Sequence, residues 1–149
     1  DRFIAEMSKL ELGIKAPMAL AKQFGASVHA TIRRYVEHSK KRCALLILEN
    51  ISLMGQPASC NARDYFQSSK FEKTFGVLAW PETMGFRWPF VQHYYFGKKF
   101  TQGVVALKTE NGEVDFEFHF FNNTYNAFVL LFPKGEKNKT RTKIVLADT

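Results

Sequence analysis

A β-hairpin signal in the second half of the chain restricts the fold more than any other feature of the sequence. Asn111-Gly112 is a dipeptide typical of two-residue hairpin turns. After it, apolar and polar residues alternate, and the apolar row consists of Val114, Phe116, Phe118 and Phe120. A period of two fixes which face of a strand is buried. The pattern therefore predicts an antiparallel sheet with one apolar face, and with Asp115, Glu117 and His119 on the solvent side.

Other segments supply further strands for this sheet. Residues 43–48 (CALLIL) form a continuous apolar run, which is typical of a central strand. Residues 104–107 lead into the hairpin, residues 125–132 run back as another apolar strand after a turn at residues 122–123, and residues 143–147 predict a last short strand. One apolar face requires a covering layer, and helices are the natural source of one.

The first third of the sequence predicts that helical layer. Pro17 suits a first helical turn, Gly25 ends that helix, and Ser27 is placed to cap the next one. The buried face of this second helix would consist of Val28, Ile32, Tyr35 and Val36. Two short helices joined in this way are typical of a helix-turn-helix. Farther along, the sequence predicts a loop over residues 50–61 and a helix over residues 63–75.

These elements predict an α+β fold in which helices are followed by a mainly antiparallel sheet. The helical part comprises residues 1–42 and the β-rich part residues 43–149. The two parts are either separate domains or one unit around a shared core. The apolar fraction of 46% indicates a packed globular chain rather than a disordered one. No apolar run approaches the roughly 20 residues that a membrane span requires.

Basic residues are concentrated in two places, and the chain has a formal net charge of +7. One cluster lies between residues 134 and 143. The other comprises Arg33, Arg34, Lys40, Lys41 and Arg42. Such clusters contact phosphate backbones or acidic protein partners, although a solvated surface is the more common role. We therefore regard the second cluster as a candidate contact site for nucleic acid or for a protein partner.

The sequence offers no complete catalytic or metal site. The four histidines have no ligand spacing, and no His-Glu-x-x-His pair, Cys-x-x-Cys pair or Gly-x-Ser-x-Gly elbow occurs. The two cysteines, Cys43 and Cys60, are expected to be reduced thiols in a cytoplasmic protein. We expect no catalytic residue, no metal ligand and no cofactor in this chain alone.

An aromatic stretch at residues 86–100 is the main candidate for a ligand pocket. Four aromatic residues in and just before it would line such a pocket: Trp80, Trp88, Tyr94 and Tyr95. Aromatic rings next to cations suit a ligand or a groove for single-stranded nucleic acid. The alternative, that these rings only fill the layer above the sheet, is the more frequent one.

Three N-terminal stretches resemble the part of ImmA/IrrE-type proteins that follows the zinc peptidase segment. They are residues 2–7 (RFIAEM), 20–27 (LAKQFGAS) and 30–36 (ATIRRYV). The family has a helix, a helix-turn-helix and an apolar strand in this order. The resemblance is confined to roughly the first fifty residues and lies in their combined spacing. Because residues 1–7 read as the middle of a helix, we expect the chain to be a fragment or a processed form.

This resemblance implies a cytoplasmic regulatory protein whose peptidase segment cleaves a transcriptional repressor. The zinc and its ligands would belong to an upstream segment, so the partner of this chain would be that segment or the repressor. Some members carry a GAF-like sensory domain after the helix-turn-helix, and residues 43–149 would correspond to it. The expected function is thus a non-catalytic regulatory module. The alternatives are a DNA-binding helix-turn-helix protein and a small-molecule sensor.

Overall fold

The computed structural model describes residues 13–15, 17–19, 27–52 and 58–136. The helices are α1 (Val28–Glu37), α2 (Ser69–Phe75) and α3 (Pro89–Tyr95), and the strands are β1 (Ala44–Glu49), β2 (Ser59–Gln67), β3 (Thr83–Gly85), β4 (Phe100–Thr109), β5 (Gly112–Asn122) and β6 (Asn126–Pro133). The mixed helix-and-strand fold expected from the sequence is confirmed.

The six strands form one antiparallel sheet in the order β3-β2-β1-β6-β5-β4. The central position predicted for residues 43–48 is confirmed, because β1 pairs with both β2 and β6. The predicted hairpin is confirmed as well: Thr109 pairs with Gly112, and Gly112 has a φ of 85°, a conformation that glycine adopts readily. Among the described strands, β3 and β4 form the two edges. The strand predicted over residues 143–147 lies outside the described residues.

One face of the sheet is covered by α2 and α3, and we call it the α2–α3 face. The predicted phenylalanine row of β5 lies there, and Phe116, Phe118 and Phe120 are fully buried. Phe71 of α2 lies 5.6 Å from Phe116, and Phe90 of α3 lies 5.7 Å from Phe118, measured between ring centroids. The covering layer thus consists of helices inserted between β2 and β4.

The opposite face is covered by α1, so the prediction of a single apolar face is wrong. Ile32 and Val36 of α1 are fully buried and belong to the same core cluster as Leu45, Ile47 and Leu130. Strands β1 and β6 are therefore buried on both sides. Their continuous apolar sequences, unlike the alternating one of β5, reflect this double burial.

The side chain of His119 is also buried, contrary to the prediction that it faces solvent. Only 7% of the residue is exposed. Residues 13–14 lie over this end of β5, and the Ile14 N–H donates a hydrogen bond of 3.2 Å to Nδ1 of His119. The ring also packs edge-to-face on Phe132 at 5.1 Å. Asp115, nearer the hairpin turn, is exposed as predicted.

Helix α1 has the N-cap predicted from the sequence. The Ser27 hydroxyl accepts a hydrogen bond of 3.2 Å from the Ala30 N–H. Ile32, Tyr35 and Val36 are buried as predicted. Residues 17–19 are helical, but residues 20–26, which would complete the first helix and the turn of the predicted helix-turn-helix, lie outside the described residues.

The helix predicted over residues 63–75 is wrong for its first half, which forms β2. Tyr65 packs toward the α2–α3 face and Phe66 toward the α1 face. Because both faces of the sheet are covered, β2 has aromatic residues on both sides and resembles a helix in sequence. The fully buried Ser68 ends the strand, and its hydroxyl accepts the N–H groups of Cys43 and Phe71, which caps α2. The loop predicted over residues 50–61 accordingly ends before Ser59.

Within the described residues, no helix is both long enough and apolar enough to cross a lipid bilayer.

Candidate functional site: an aromatic cleft

A cleft of about 390 Å³ opens between edge strand β4, the segment after α2 and the turn before α3. We call it the aromatic cleft. The side chains that matter for its chemistry are Leu78, Trp80, Arg87, Trp88, Lys108 and Glu113. Its volume suits a small organic molecule, for which pockets usually measure about 300–1,000 Å³. The cleft is open to solvent on one side.

Two indole rings form the apolar part of the cleft. The ring centroids of Trp80 and Trp88 lie 5.7 Å apart and their planes are tilted by 53°. Trp88 stacks on the buried Phe90 at 5.5 Å, and Trp80 packs against Tyr65 at 5.5 Å. Both indoles are therefore held from behind by core aromatics and remain only half-buried themselves. Their positions are set before any ligand binds.

The segment that carries Trp80 is attached to β2 through one amide side chain. Gln67 Nε2 donates to the Gly76 carbonyl at 3.1 Å, and Gln67 Oε1 accepts the Leu78 N–H at 2.9 Å. The Tyr65 hydroxyl donates to the same Oε1 at 2.6 Å. These hydrogen bonds fix a segment that has no regular secondary structure.

The Trp80 indole contains a buried polar atom without a hydrogen-bond partner among the described residues, its Nε1. Burial raises the pKa of the Tyr65 hydroxyl well above its usual value, and the neighbouring indole N–H of Trp80 offsets part of this rise. The two groups are thus close, but they do not meet hydrogen-bond geometry. An unsatisfied buried donor costs about 1–3 kcal/mol, which makes such positions uncommon.

Of the four predicted pocket residues, the structure brings together Trp80 and Trp88 but not the two tyrosines. Tyr94 is 4% exposed and belongs to the core of the α2–α3 face, where its hydroxyl points to the Tyr125 carbonyl at 3.4 Å. Tyr95 packs against Phe86 and Phe96 instead. On α3, a seven-residue helix, Tyr94 and Tyr95 necessarily diverge, because consecutive residues point about 100° apart.

The cationic residue Lys108 and the acidic Glu113 are members of the cleft that the sequence did not indicate. They are cross-strand partners on either side of the hairpin turn, so their proximity to each other follows from the hairpin register. Their approach to Trp80 and Trp88, in contrast, depends on the path of the chain after α2. This is a long-range relationship with no local sequence signal.

The residues of the predicted basic contact cluster differ in their exposure and in their ion pairs. Arg33 pairs with Glu37 at 3.0 Å and lies 4.4 Å above the ring of Phe66. Arg42 is bound to the buried Glu136. Lys40 is exposed, Arg34 is exposed on α1, and Lys41 is half-buried. A shallow depression of about 520 Å³ follows the exposed side of α1 and includes Arg33 and Arg34.

Within the part of the chain that the structure describes, no group of three or more His, Cys, Asp or Glu side chains is arranged to hold a metal ion. His93 contacts Thr101 through Nδ1 at 2.6 Å, and His119 is engaged by Ile14. Both cysteines are free thiols and buried.

No model of a known protein family matches this sequence, and no match was found among curated proteins.

Proposed function

We propose that this chain is a non-catalytic sensory module of a regulatory protein, with the aromatic cleft as its ligand site. One observation carries the proposal: two indoles, fixed from behind by core aromatics, line an open cleft of about 390 Å³. Clefts with aromatic walls and a few polar groups are the usual form of small-molecule sites. Stacking on an indole makes the binding free energy of a planar ligand about 0.5–1.5 kcal/mol more favourable than burial of its surface area alone would.

The partial exposure of the two indoles supports a binding role for them. Phe90 and Phe118, which fill the core next to the indoles, are fully buried. Trp80 and Trp88 are half-buried although they stand next to that core.

The regulatory context rests on the resemblance of the N-terminal stretches to ImmA/IrrE-type proteins. In this proposal the chain is the cytoplasmic part that follows a zinc peptidase segment, and residues 43–149 act as a GAF-like sensor. The mixed fold with one antiparallel sheet is compatible with this assignment. Incubation of the chain with zinc and a candidate repressor should leave the repressor intact, and cleavage by the purified chain would contradict the proposal.

A second candidate function is nucleic-acid binding through the exposed side of α1. It is favoured by the exposed Arg34 and by the depression along that helix. Engagement of Arg33 by Glu37 and of Arg42 by Glu136 leaves fewer of the predicted cations available for phosphates. Electrophoretic mobility at two salt concentrations distinguishes the candidates: steeply salt-dependent, sequence-selective binding supports nucleic-acid recognition.

Tryptophan fluorescence provides the direct test of the ligand site, because Trp80 and Trp88 are the two tryptophans of the chain. We expect planar bicyclic compounds to quench or shift this emission, and we expect the change to saturate as the compound concentration rises. Trp88→Leu should lower the affinity about tenfold, whereas Tyr125→Leu should not, because Tyr125 is 83% exposed and outside the cleft. Saturable binding detected by calorimetry with an unchanged tryptophan emission would contradict the assignment.

A further inference from the structure

The aromatic cleft contains more positive than negative charge. Its charged side chains are Arg87, Lys108 and Glu113, so the formal balance is two cations against one carboxylate. Arg87 and Lys108 reach the cleft from the turn before α3 and from the edge strand β4, respectively. A ligand that enters between them meets positive charge from two separate elements of the fold.

Within the part of the chain that the structure describes, neither Arg87 nor Lys108 forms an ion pair, in contrast to three other arginines. Arg33, Arg42 and Arg63 each form an ion pair within 4.0 Å. Among the described residues, no such pair involves Arg87 or Lys108, although Glu113 stands opposite Lys108 in the hairpin register. Their donor groups are therefore free to bind an anion without first breaking an existing pair.

Arg87 also lies close to the indole ring of Trp88. Its guanidinium carbon lies 5.7 Å from the centroid of the Trp88 ring. The guanidinium therefore lies over one side of this indole, which also stacks on Phe90, and a planar ligand would contact the exposed part of the ring next to that charge. An anionic group attached to that ligand would meet the guanidinium with both donor and acceptor ionised, which is the stronger class of hydrogen bond. Binding of the ring and of the charge would thus reinforce each other.

We infer that the ligand of the aromatic cleft is a planar aromatic carboxylate with a single negative charge. This inference rests on the proposed function, because it names the chemistry of the same site. A cationic ligand would be repelled by Arg87 and Lys108, and a neutral one would gain no charge interaction from either residue, since both are exposed to solvent. A dianion is disfavoured because Glu113 contributes a negative charge to the same cleft.

Three compounds of nearly equal shape separate ring recognition from charge recognition: naphthalene-2-carboxylate, naphthalene-2-carboxamide and 2-naphthylmethylammonium. The readout is the pair of indole N–H signals in a ¹H–¹⁵N spectrum of the whole chain, which arise from Trp80 and Trp88. We expect the carboxylate to shift both signals and to bind at least about tenfold more tightly than the carboxamide. We expect the ammonium compound to bind most weakly.

Variants that each remove one positive charge show which cations bind the carboxylate. Arg87→Gln and Lys108→Gln should each reduce carboxylate affinity about three- to tenfold and leave carboxamide affinity unchanged. Lys70→Gln removes the same charge from the exposed side of α2 and should leave the affinity unaltered. Retention of the dispersed backbone amide signals in the unliganded variants confirms that they are folded.

The outcomes distinguish this inference from the proposed function. Equal affinities for carboxylate and carboxamide, with both indole signals shifted, overturn the inference and leave the aromatic cleft as a ligand site. Equal losses in Arg87→Gln and Lys70→Gln overturn it as well, because the attraction would then come from net charge alone. If none of the three compounds moves either indole signal, the proposed function fails together with the inference.

Discussion

The carboxylate of Glu136 receives hydrogen bonds from both the backbone N–H and the guanidinium of Arg42, at 2.6 Å and 3.0 Å. Glu136 is 2% exposed and the Arg42 side chain 25% exposed. Arg42 thus attaches the end of β6 to the start of β1. Its position in a run of basic residues suggested a contact with a partner, whereas its geometry indicates a structural role.

Arg42→Met should therefore destabilise the chain, because it removes the cation from a buried carboxylate. Loss of one partner of a fully buried ion pair costs about 3–5 kcal/mol, and we expect about 2 kcal/mol here since Arg42 retains partial solvent access. Urea denaturation followed by circular dichroism measures this difference in unfolding free energy. Arg63→Met, which removes two ion pairs at the surface, should cost less than about 1 kcal/mol. Similar losses in both variants would contradict the structural role.

Gly76 is required by the backbone that leads into the aromatic cleft. It combines a φ of 74° with a ψ of −171°, a conformation that is restricted almost entirely to glycine. Gly76→Ala should cost about 1–3 kcal/mol in unfolding free energy. It should also weaken ligand binding at Trp80, four residues later. Gly85→Ala is the matched control, because an added Cβ there meets nothing within 4 Å, and we expect a change below about 0.5 kcal/mol. An unchanged melting temperature in Gly76→Ala would contradict this description of the segment.

Both thiols should be unreactive in the folded protein. Burial raises the pKa of Cys43 to about 12 and that of Cys60 to about 12, so the thiolate is scarce at neutral pH. At pH 8 we expect an aromatic disulfide reagent to modify neither thiol on the timescale of minutes, and to modify both in urea. Rapid labelling of the native protein would show that one of these sites is exposed.

His93 should make the stability of the chain depend on pH. Burial, with a smaller contribution from Lys98, lowers the pKa of this imidazole from its usual value of 6.5. The unfolded chain therefore binds a proton more readily than the folded one. The free energy of unfolding is therefore highest above pH 6.5, where the imidazole is neutral in both states. It decreases as the pH falls below 6.5, and this contribution is fully lost below the pKa of the folded state. Melting temperatures of wild type and His93→Gln should differ most at pH 8 and converge toward pH 5. A constant difference across this range would contradict the assignment.

Local signals in the sequence predicted the features that depend on neighbouring residues. Gly112 determines the hairpin turn, Ser27 caps α1, and the phenylalanine row of β5 follows from a period of two. These features need only the geometry of one or two elements. The prediction of a mixed helix-and-strand fold succeeded for the same reason.

Relationships between distant segments were not predictable in the same way. His119 is buried because residues 13–14 lie on it, a contact across 105 positions of the chain. The α1 layer likewise gives β2 an aromatic residue on each face, which produced the wrong helix prediction. In the aromatic cleft, Trp80 and Trp88 were evident from composition, but Lys108 joins them only through the fold.

The location of a bound naphthalene-2-carboxylate molecule tests the central claim most directly. Intermolecular nuclear Overhauser effects, measured on the saturated complex, report which side chains lie within a few ångströms of the ring. We predict contacts to the indole protons of both Trp80 and Trp88. Contacts confined to the exposed side of α1 would contradict the account and would place the binding surface at Arg33 and Arg34 instead.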